Sequence, residues 1–362
     1  MKFIQIGLNS IKKLSLVFLL LFLHLITFAQ QKEKAEELVN EGIAYHDEGD
    51  FASAIKLYNK ALELDKNNLF ALTEKAYSSL MLRKYDEAIQ CCQMAIKKHP
   101  DNQSLESVYV TMGNAYDALN KPDKSLETYD KGLKKFPNYF LLYFNKGITL
   151  TNMRKIDDAI DCFQKSVILN PNHASSHNAM AKLSEINNKK IPAFLAYCRF
   201  FVLEPQSERA KSNFENMGKI INGNVKKTGE NAITISINSN TFDKKGEQND
   251  FSSTELMLAM ESALDHDQKY TKQTEVEKFI RKFETICSSL KERKKNNQGF
   301  YWDYYVPYFI EMKEHNLITT FAYIVFTSSE NEEVNEWLNA HKKELDEFNN
   351  WSTNFKWKTN KK

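Results

Sequence analysis

The sequence contains little glycine and proline, and neither sign of charge is in clear excess. Its 362 residues include 11 Gly and 7 Pro, too few for a collagen-like or Pro/Gly-rich disordered chain. The 49 Lys and Arg nearly balance the 47 Asp and Glu, which argues against a nucleic-acid-binding protein with one long basic face. With 42% hydrophobic residues, the chain can bury a core, and the scarcity of helix-breaking residues favours α-helices.

Cysteine is also scarce, and its spacing predicts no special chemistry. The five cysteines are Cys91, Cys92, Cys162, Cys198 and Cys287. An odd number without paired spacing is not typical of a disulfide framework, and no CxxC or Cys/His pattern indicates zinc. We therefore expect buried core cysteines. Since GxSxG, P-loop, HExxH and dinucleotide motifs are also missing, we predict no catalytic residues, no metal site and no cofactor.

Residues 1–29 have the pattern of a targeting segment. Lys2, Lys12 and Lys13 precede an apolar run from Leu14 to Phe28, and no acid accompanies them. This is the order of a signal peptide, and the run is shorter than the roughly 20 apolar residues that span a bilayer. We expect a cleaved signal, with an uncleaved N-terminal anchor as the alternative and no later membrane span. The protein would then be exported to the periplasm or cell envelope, or secreted.

A period of about 34 residues organises the middle of the chain. Small residues separated by 34, 37, 34 and 34 positions stand at Gly42, Ala76, Gly113, Gly147 and Ala181. Twelve positions later another small residue follows, and four further on a larger one; these larger residues are Tyr58, Cys92, Tyr129, Phe163 and Tyr197. Four of the units close with a proline, which ends a helix. Small residues at fixed positions let antiparallel helices approach closely.

This pattern resembles the tetratricopeptide-repeat family, most clearly over residues 35–68. The resemblance covers 35–207, or about five repeats, and implies an all-α fold built as an α-solenoid of stacked helix pairs. We predict a capping helix at 208–223, a polar linker at 224–250 and a mostly helical C-terminal module at 251–357. An array followed by such a module resembles secreted bacterial repeat proteins.

The linker and the C-terminal module carry more local signals. Ile233, Ile235 and Ile237 alternate as in a short strand. Ser252-x-x-Glu255 and Thr274-x-x-Glu277 each predict a capping box that opens a helix. Residues 317–326 fit either a helix or a strand. Trp351 and Trp357 are expected in a polar tail.

The family resemblance also implies where a partner binds. In tetratricopeptide repeats, partner peptides usually lie along the first helix of each repeat, in a concave groove. Carried over by position, this implies a peptide-binding groove with the contacts Tyr77, Leu80, Asn114, Phe144, Ile148 and Asn178. Val39 and Val110 stand where a carboxylate-clamping family member has lysine, so we predict no carboxylate clamp. The groove's alternative occupant is the protein's own C-terminal module.

These observations favour a non-enzymatic protein–protein interaction scaffold of the cell envelope. It would bind a peptide or protein segment in the groove, and not nucleic acid. The alternative is an envelope ligand- or glycan-binding protein that uses the aromatic segment 300–309, since stacked aromatics suit sugar rings. The competing interpretation of that segment is core, because Tyr301, Tyr304, Tyr305 and Tyr308 follow helical spacing. An enzyme would need acids or histidines that converge in a cleft of the C-terminal module.

Overall fold

The described part of the chain is all-α apart from one short antiparallel ribbon, in agreement with the predicted fold class. The computed structural model describes residues 2–222, 225–229, 232–235 and 248–358, with side chains from residue 24 onward except at 25 and 226. The chain forms two compact units, Met1–Arg154 and Lys155–Lys362, called unit 1 and unit 2 here. The tetratricopeptide-type helix pairs are present in both.

Unit 1 is built from the helices of the first repeats. They are α1 (Lys2–Asp47), α2 (Phe51–Leu64), α3 (Leu69–Met81), α4 (Tyr85–Lys98), α5 (Glu106–Ala118), α6 (Pro122–Lys135) and α7 (Phe140–Asn152). Helix α1 is continuous, so the predicted signal segment and the first helix of the first repeat form one helix. The odd-numbered helices α1, α3, α5 and α7 are the first helices of their repeats.

The small residues of the repeat have the packing role that their spacing predicts. A Cβ on Gly42 would lie 2.5 Å from Cε1 of Tyr58, and one on Gly113 would lie 2.2 Å from Cε1 of Tyr129. Only glycine lets these rings of the second helices lie against the first helices. Both tyrosines are buried, so each repeat's aromatic position forms part of the core of unit 1.

Unit 2 begins with repeat helices and continues into the C-terminal module. Its helices are α8 (Ile156–Leu169), α9 (Ala174–Ile186), α10 (Lys190–Leu203), α11 (Glu208–Asn222), α12 (Ser252–Ala263), α13 (Glu275–Arg293), α14 (Phe300–Glu314), α15 (Ile318–Phe326), α16 (Glu332–Ala340) and α17 (Lys342–Asn354). Strands β1 (Val225–Gly229) and β2 (Ala232–Ile235) pair antiparallel, with Val225 opposite Ile235. Ile237 of the predicted strand lies outside the described residues. Residues 318–326 form a helix, which decides between the two alternatives.

Of the two predicted capping boxes, one forms and one does not. The Thr274 hydroxyl accepts from Glu277 N, and the Glu277 carboxylate accepts from Thr274 N at 2.8 Å. Helix α12 instead begins after Phe251, with no side-chain capping bond, so the Ser252 prediction is wrong. The Phe251 ring stacks on Trp302, with centroids 4.4 Å apart. Ser252 is the first residue inside α12, and its N–H donates to Asp250 Oδ1 at 2.9 Å.

The aromatic segment 300–309 is core. Tyr301, Trp302, Tyr304, Tyr305 and Tyr308 are all at most 5% exposed, and helix α14 continues through Pro307. The rings therefore do not form a surface on which a sugar could stack. All five cysteines are free and buried, as predicted.

The expectation of a polar tail around Trp351 and Trp357 is wrong. The Trp357 ring lies 4.9 Å from that of Tyr308 and 4.7 Å from that of Tyr304. Trp351 Nε1 donates to the Glu311 carboxylate at 2.9 Å. Both indoles are half-buried and pack onto α14, so the end of the described chain lies against the core of unit 2.

Candidate functional site

The first helices of unit 1 pack side by side and share an accessible face. Helix α3 contacts both α1 and α5, and α5 contacts α7. We call their exposed and half-buried side chains the first-helix face; its members include Ile43, His46, Phe70, Tyr77, Leu80, Asn114, Phe144 and Ile148. Large apolar side chains are accessible here, since Phe70 is 62% and Tyr77 44% exposed.

Four of the predicted contacts provide apolar surface on this face. The Tyr77 ring lies 4.8 Å from that of His46, which orients it. Leu80 is half-buried and packs against the core with its other side. Phe144 is half-buried, and Ile148 is 37% exposed. These four predicted contacts therefore lie on the first-helix face with at least part of each side chain accessible.

Asn114 supplies a polar group on the same face. Its Oδ1 accepts from the Tyr129 hydroxyl at 2.6 Å. This bond fixes the amide, since Tyr129 is buried. The donor of the amide, Nδ2, is therefore the group that can bond to the carbonyl of a bound peptide.

The charges of these first helices are predominantly acidic. Residues 35–47 and helices α3, α5 and α7 contain seven acids, which are Glu36, Glu37, Glu41, Asp47, Glu74, Glu106 and Asp117. The same segments contain two Lys and no Arg, and both lysines pair with acids of second helices. Lys75 Nζ lies 2.9 Å from the carboxylate of Glu87, and Lys146 Nζ lies 2.6 Å from that of Asp130. Just before these segments, Lys34 pairs with Glu37 in an exposed contact at 2.7 Å.

Glu74 of α3 lies near the acid Asp47 and the imidazole of His46, both of α1. Burial raises the pKa of Glu74, Asp47 raises it further, and His46 lowers it. These three residues join α1 to α3 beside Tyr77. A positively charged group brought to this face would relieve the repulsion between Asp47 and Glu74.

Asn178 lies in unit 2, in a different environment. It is 7% exposed, and its Oδ1 accepts from Nδ2 of Asn213 in α11 at 3.0 Å. The predicted capping helix thus already uses the amide that the sequence assigned to a peptide. Asn178 therefore makes a contact within the chain. The other five predicted peptide contacts lie on the first-helix face.

The sequence reasoning missed a buried polar network around the fifth repeat. His177 Nε2 lies 2.9 Å from the carbonyl oxygen of Pro171, which can only accept, so Nε2 carries the proton. Nδ1 then accepts from the Tyr305 hydroxyl at 2.7 Å. Burial, with the charge of Arg199, lowers the pKa of His177 to about 3. The imidazole is therefore neutral and structural.

Arg199 is the centre of this network. It is 1% exposed and donates to Asn172 Oδ1 at 2.8 Å, Ser352 Oγ at 3.0 Å and the Tyr308 hydroxyl at 3.2 Å. Its guanidinium carbon lies 4.9 Å from the Trp357 ring centroid. Neutral oxygens and ring faces thus hold this cation, and it ties α10 to the C-terminal module.

A signal for this network is present in the sequence. Residues 191–201 of α10 read IPAFLAYCRFF and have no polar stripe, and all of them are buried. A helix without a polar face must be covered on all sides. Arg199 is the one ionisable cation in that run, which marks it as a buried, partnered charge.

The described ranges contain no cluster of three His, Cys, Asp or Glu side chains that could hold a metal ion. Among the helices described here, none combines the length and the apolar character that crossing a membrane requires.

Comparison with protein families identifies the repeats. Tetratricopeptide-repeat family models match residues 35–68, 57–90, 106–139 and 140–173. Together with the helix pairs and their small-residue spacing, these matches show that the chain contains tetratricopeptide repeats. Its fold is the all-α solenoid class to which those repeats belong.

Curated relatives match over parts of their length. Protein STIP1 homolog of Dictyostelium discoideum is 25% identical over 171 residues, 39% of this chain and 30% of the relative. Protein O-mannosyl-transferase TMTC1 of Homo sapiens is 25% identical over 195 residues, which are 53% of this chain and 22% of the relative. Hsp70-Hsp90 organizing protein of Triticum aestivum is 32% identical over 105 residues, which are 27% of this chain and 18% of the relative. The chain thus spans less than a third of these relatives.

Two solved structures each match about half of this chain. TTC0263, a tetratricopeptide-repeat protein of Thermus thermophilus, is 16% identical, with a TM-score of 0.44 over 51% of this chain and 98% of that one. YrrB, described as a tetratricopeptide-repeat protein with an unusual peptide-binding site, is 19% identical, with a TM-score of 0.37 over 49% and 93%. At these identities the similarity is one of fold.

Proposed function

We propose that this protein is a non-enzymatic interaction scaffold that binds an extended segment of a partner protein on the first-helix face of unit 1. The observation that carries the proposal is the exposure of Phe70 and Tyr77 on α3 and of Ile148 on α7, the two first helices that contact α5. Monomeric proteins seldom leave large apolar side chains in one patch without a use for them. The name of the wheat relative, which organises Hsp70 and Hsp90, supports a role in binding other proteins.

The charge of the face restricts the partner to a segment that is apolar and basic. The seven acids of the first helices outnumber their two lysines, and Lys75 and Lys146 already pair with second-helix acids. Val39, at a clamp-lysine position, is 3% exposed. A terminal carboxylate would therefore meet repulsion, whereas Lys or Arg beside Leu or Phe would find both kinds of contact.

We also propose that the scaffold is exported, on the basis of its N-terminal segment. Lys2, Lys12 and Lys13 before the apolar run support export into the cell envelope or beyond. Cleavage after Ala29 would leave α1 residues 30–47, which include the first helix of the first repeat. Mass measurement of the N-terminus from fractionated cells tests this: an intact N-terminus in the cytoplasmic fraction would contradict it.

Fluorescence anisotropy with end-blocked peptides tests the binding site. Peptides that alternate Leu or Phe with Lys should bind, while the same peptides with Glu in place of Lys should not. Binding should weaken with salt, since part of it is electrostatic. Tyr77→Ala and Phe144→Ala should each weaken binding by about tenfold or more, because central aromatic contacts usually carry most of the energy.

Met94→Ala is the matched control. Met94 is 43% exposed, close to the 44% of Tyr77, but lies on the second helix α4. Its substitution should leave the affinity unchanged. Equal losses for Met94→Ala and Tyr77→Ala, or tighter binding of the Glu peptides, would refute the proposed site.

The burial of segment 300–309 removes the support for glycan binding through its rings. Trp302 is 1% exposed and its Nε1 donates to the Asp250 carbonyl at 2.9 Å. The interaction scaffold is therefore the one function that we propose.

A further inference from the structure

Unit 2 contains a cavity that the scaffold function does not use. It has a volume of about 370 Å³ and lies between α11, α13, α15 and α16. Much of its wall is apolar and buried, including Met217, Ile221, Phe279 and Val334. Small-molecule sites between bundle helices have volumes of roughly 300–1,000 Å³ and the same mainly apolar lining.

A glycine inside a helix lines this cavity. Gly218 lies inside α11 and lines the cavity, and a Cβ built on it would meet no atom within 4 Å. Glycine destabilises a helix interior relative to alanine. Gly42 and Gly113 compensate for that cost by admitting a tyrosine ring, whereas Gly218 admits no part of the protein. Its position is explained if the space that it leaves is occupied by a ligand.

Two lysines line the same cavity: Lys278, which pairs with Glu275 at 2.6 Å, and the buried Lys282. Lys282 is 1% exposed, and its Nζ donates to Asn222 Oδ1 at 2.6 Å and to Asp265 Oδ2 at 2.5 Å. An ammonium group has three N–H donors. Within the part of the chain that the structure describes, the third has no partner, and it is available to an acceptor in the cavity.

The charge around Lys282 is already balanced. Arg281 pairs with Asp265 and with Glu261, so two cations and two carboxylates form one neutral cluster. Glu275, whose charge Lys278 balances, and Glu333 also line the cavity. A ligand carboxylate would give this cluster a net negative charge in a buried place, which is unfavourable. An uncharged oxygen acceptor meets no such cost.

We propose that this cavity binds a small, uncharged, apolar molecule that carries one hydrogen-bond-accepting oxygen, of the medium-chain alcohol or ketone class. Its apolar body contacts Met217 and Phe279, and its oxygen accepts from Lys282. The cavity has the volume of roughly a dozen water molecules, which fits a chain of about eight carbons. The site lies in unit 2, so its occupancy is separate from peptide binding on unit 1.

Methyl NMR on the full chain tests this directly. With ¹³C-methyl methionine, the Met217 signal (assigned by its loss in Met217→Leu) should shift saturably on titration with 1-octanol. Octanoate should bind about tenfold or more weakly, since it adds a buried charge. Gly218→Phe should abolish the octanol shift, because its ring fills the cavity. Gly218→Ala should retain it and should raise the thermal midpoint.

Each other outcome overturns the proposal or its ligand class. No saturable Met217 shift, or a shift that survives Gly218→Phe, would exclude a ligand site in this cavity. Octanoate binding as tightly as octanol would exclude the preference for an uncharged oxygen. If Gly218→Phe changes the tryptophan emission of unit 2, the smaller Gly218→Leu replaces it, and loss of the octanol shift is again required.

Discussion

The first-helix face of unit 1 and the fifth repeat in unit 2 use one motif in opposite ways. Asn178 of the fifth repeat stands where Phe144 stands in the fourth, 34 residues earlier. Phe144 is half-buried on the first-helix face, whereas Asn178 is buried under the chain's own α11. The repeat signature is therefore not enough to define a binding site. A first helix can serve a partner only where the chain does not cover it.

The second helices show the same contrast. In α2, the buried residues form one stripe and the remaining positions carry Lys56, Asn59 and Lys60. In α10, no residue from 191 to 201 is accessible, because α12, α14 and α15 contact it. The signature positions are similar in both helices. The difference lies in the positions between them, which are polar in α2 and apolar in α10.

The largest expected effect comes from replacing Arg199, the centre of the buried polar network of the fifth repeat. Arg199→Met should lower the free energy of unfolding of unit 2 by about 3 kcal/mol or more, because several buried partners lose their bonds. Urea unfolding followed by tryptophan fluorescence measures it well. The chain's four tryptophans, at 302, 337, 351 and 357, all belong to unit 2.

Arg209→Met is the control for that experiment. Arg209 is 39% exposed and pairs with Glu204, and a solvent-screened pair contributes at most about 1 kcal/mol. Equal losses for the two variants would show that Arg199 does not join the fifth repeat to the module.

The pH dependence of unit 2 gives the next largest effect. The folded pKa of His177 is about 3, below the ordinary histidine value of about 6.5, so the unfolded chain binds a proton that the folded one does not. Stability is therefore fully present above the unfolded pKa and falls as the pH drops towards 3. The expected loss is about 2 kcal/mol between pH 7 and pH 5. His177→Gln should lose this part of the dependence; an unchanged slope in that variant would assign it elsewhere.

A paired substitution separates binding from stability. Asn178→Ala should cost unit 2 about 1–2 kcal/mol, because it leaves the buried Asn213 amide without its partner. It should leave peptide affinity unchanged. Tyr77→Ala should do the reverse, with a stability change within about 0.5 kcal/mol, since Tyr77 is exposed. Anisotropy for affinity and circular dichroism for unfolding distinguish the two, and loss of binding in Asn178→Ala would contradict the contrast.

The smallest effect concerns the two capping signatures. Thr274→Ala should destabilise unit 2 by about 1 kcal/mol, because Thr274 accepts from Glu277 N at the start of α13. Ser252→Ala should stay within about 0.5 kcal/mol, since Ser252 makes no capping bond with its side chain. Urea midpoints by tryptophan fluorescence report both. A similar cost at Ser252 would mean that α12 starts where the sequence placed it.

The elements that local chemistry defines were predictable. Gly42 and Gly113 indicated close helix packing, and Thr274 with Glu277 gave the start of α13. The prediction failed at Ser252, where Phe251 is the N-cap residue and stacks on Trp302, which is distant in the sequence. It failed at Trp357 because the flanking lysines suggested solvent, while the indole packs on Tyr304 and Tyr308. These contacts join residues that are far apart in the sequence, and no periodicity of the sequence indicates that they pair.

The sequence by itself determined the repeat, its helix pairs, its buried cysteines and the apolar and acidic character of the first helices. Spacing and residue size decide these features within about 34 residues. Only the tertiary structure decided that Tyr77 is exposed while Asn178 is buried, that segment 300–309 is core, and that Gly218 and Lys282 line one cavity. Such features depend on which distant helix covers a given face. Which helix covers which face depends on how α10 and α14 are buried together, and the sequence of neither helix alone reveals it.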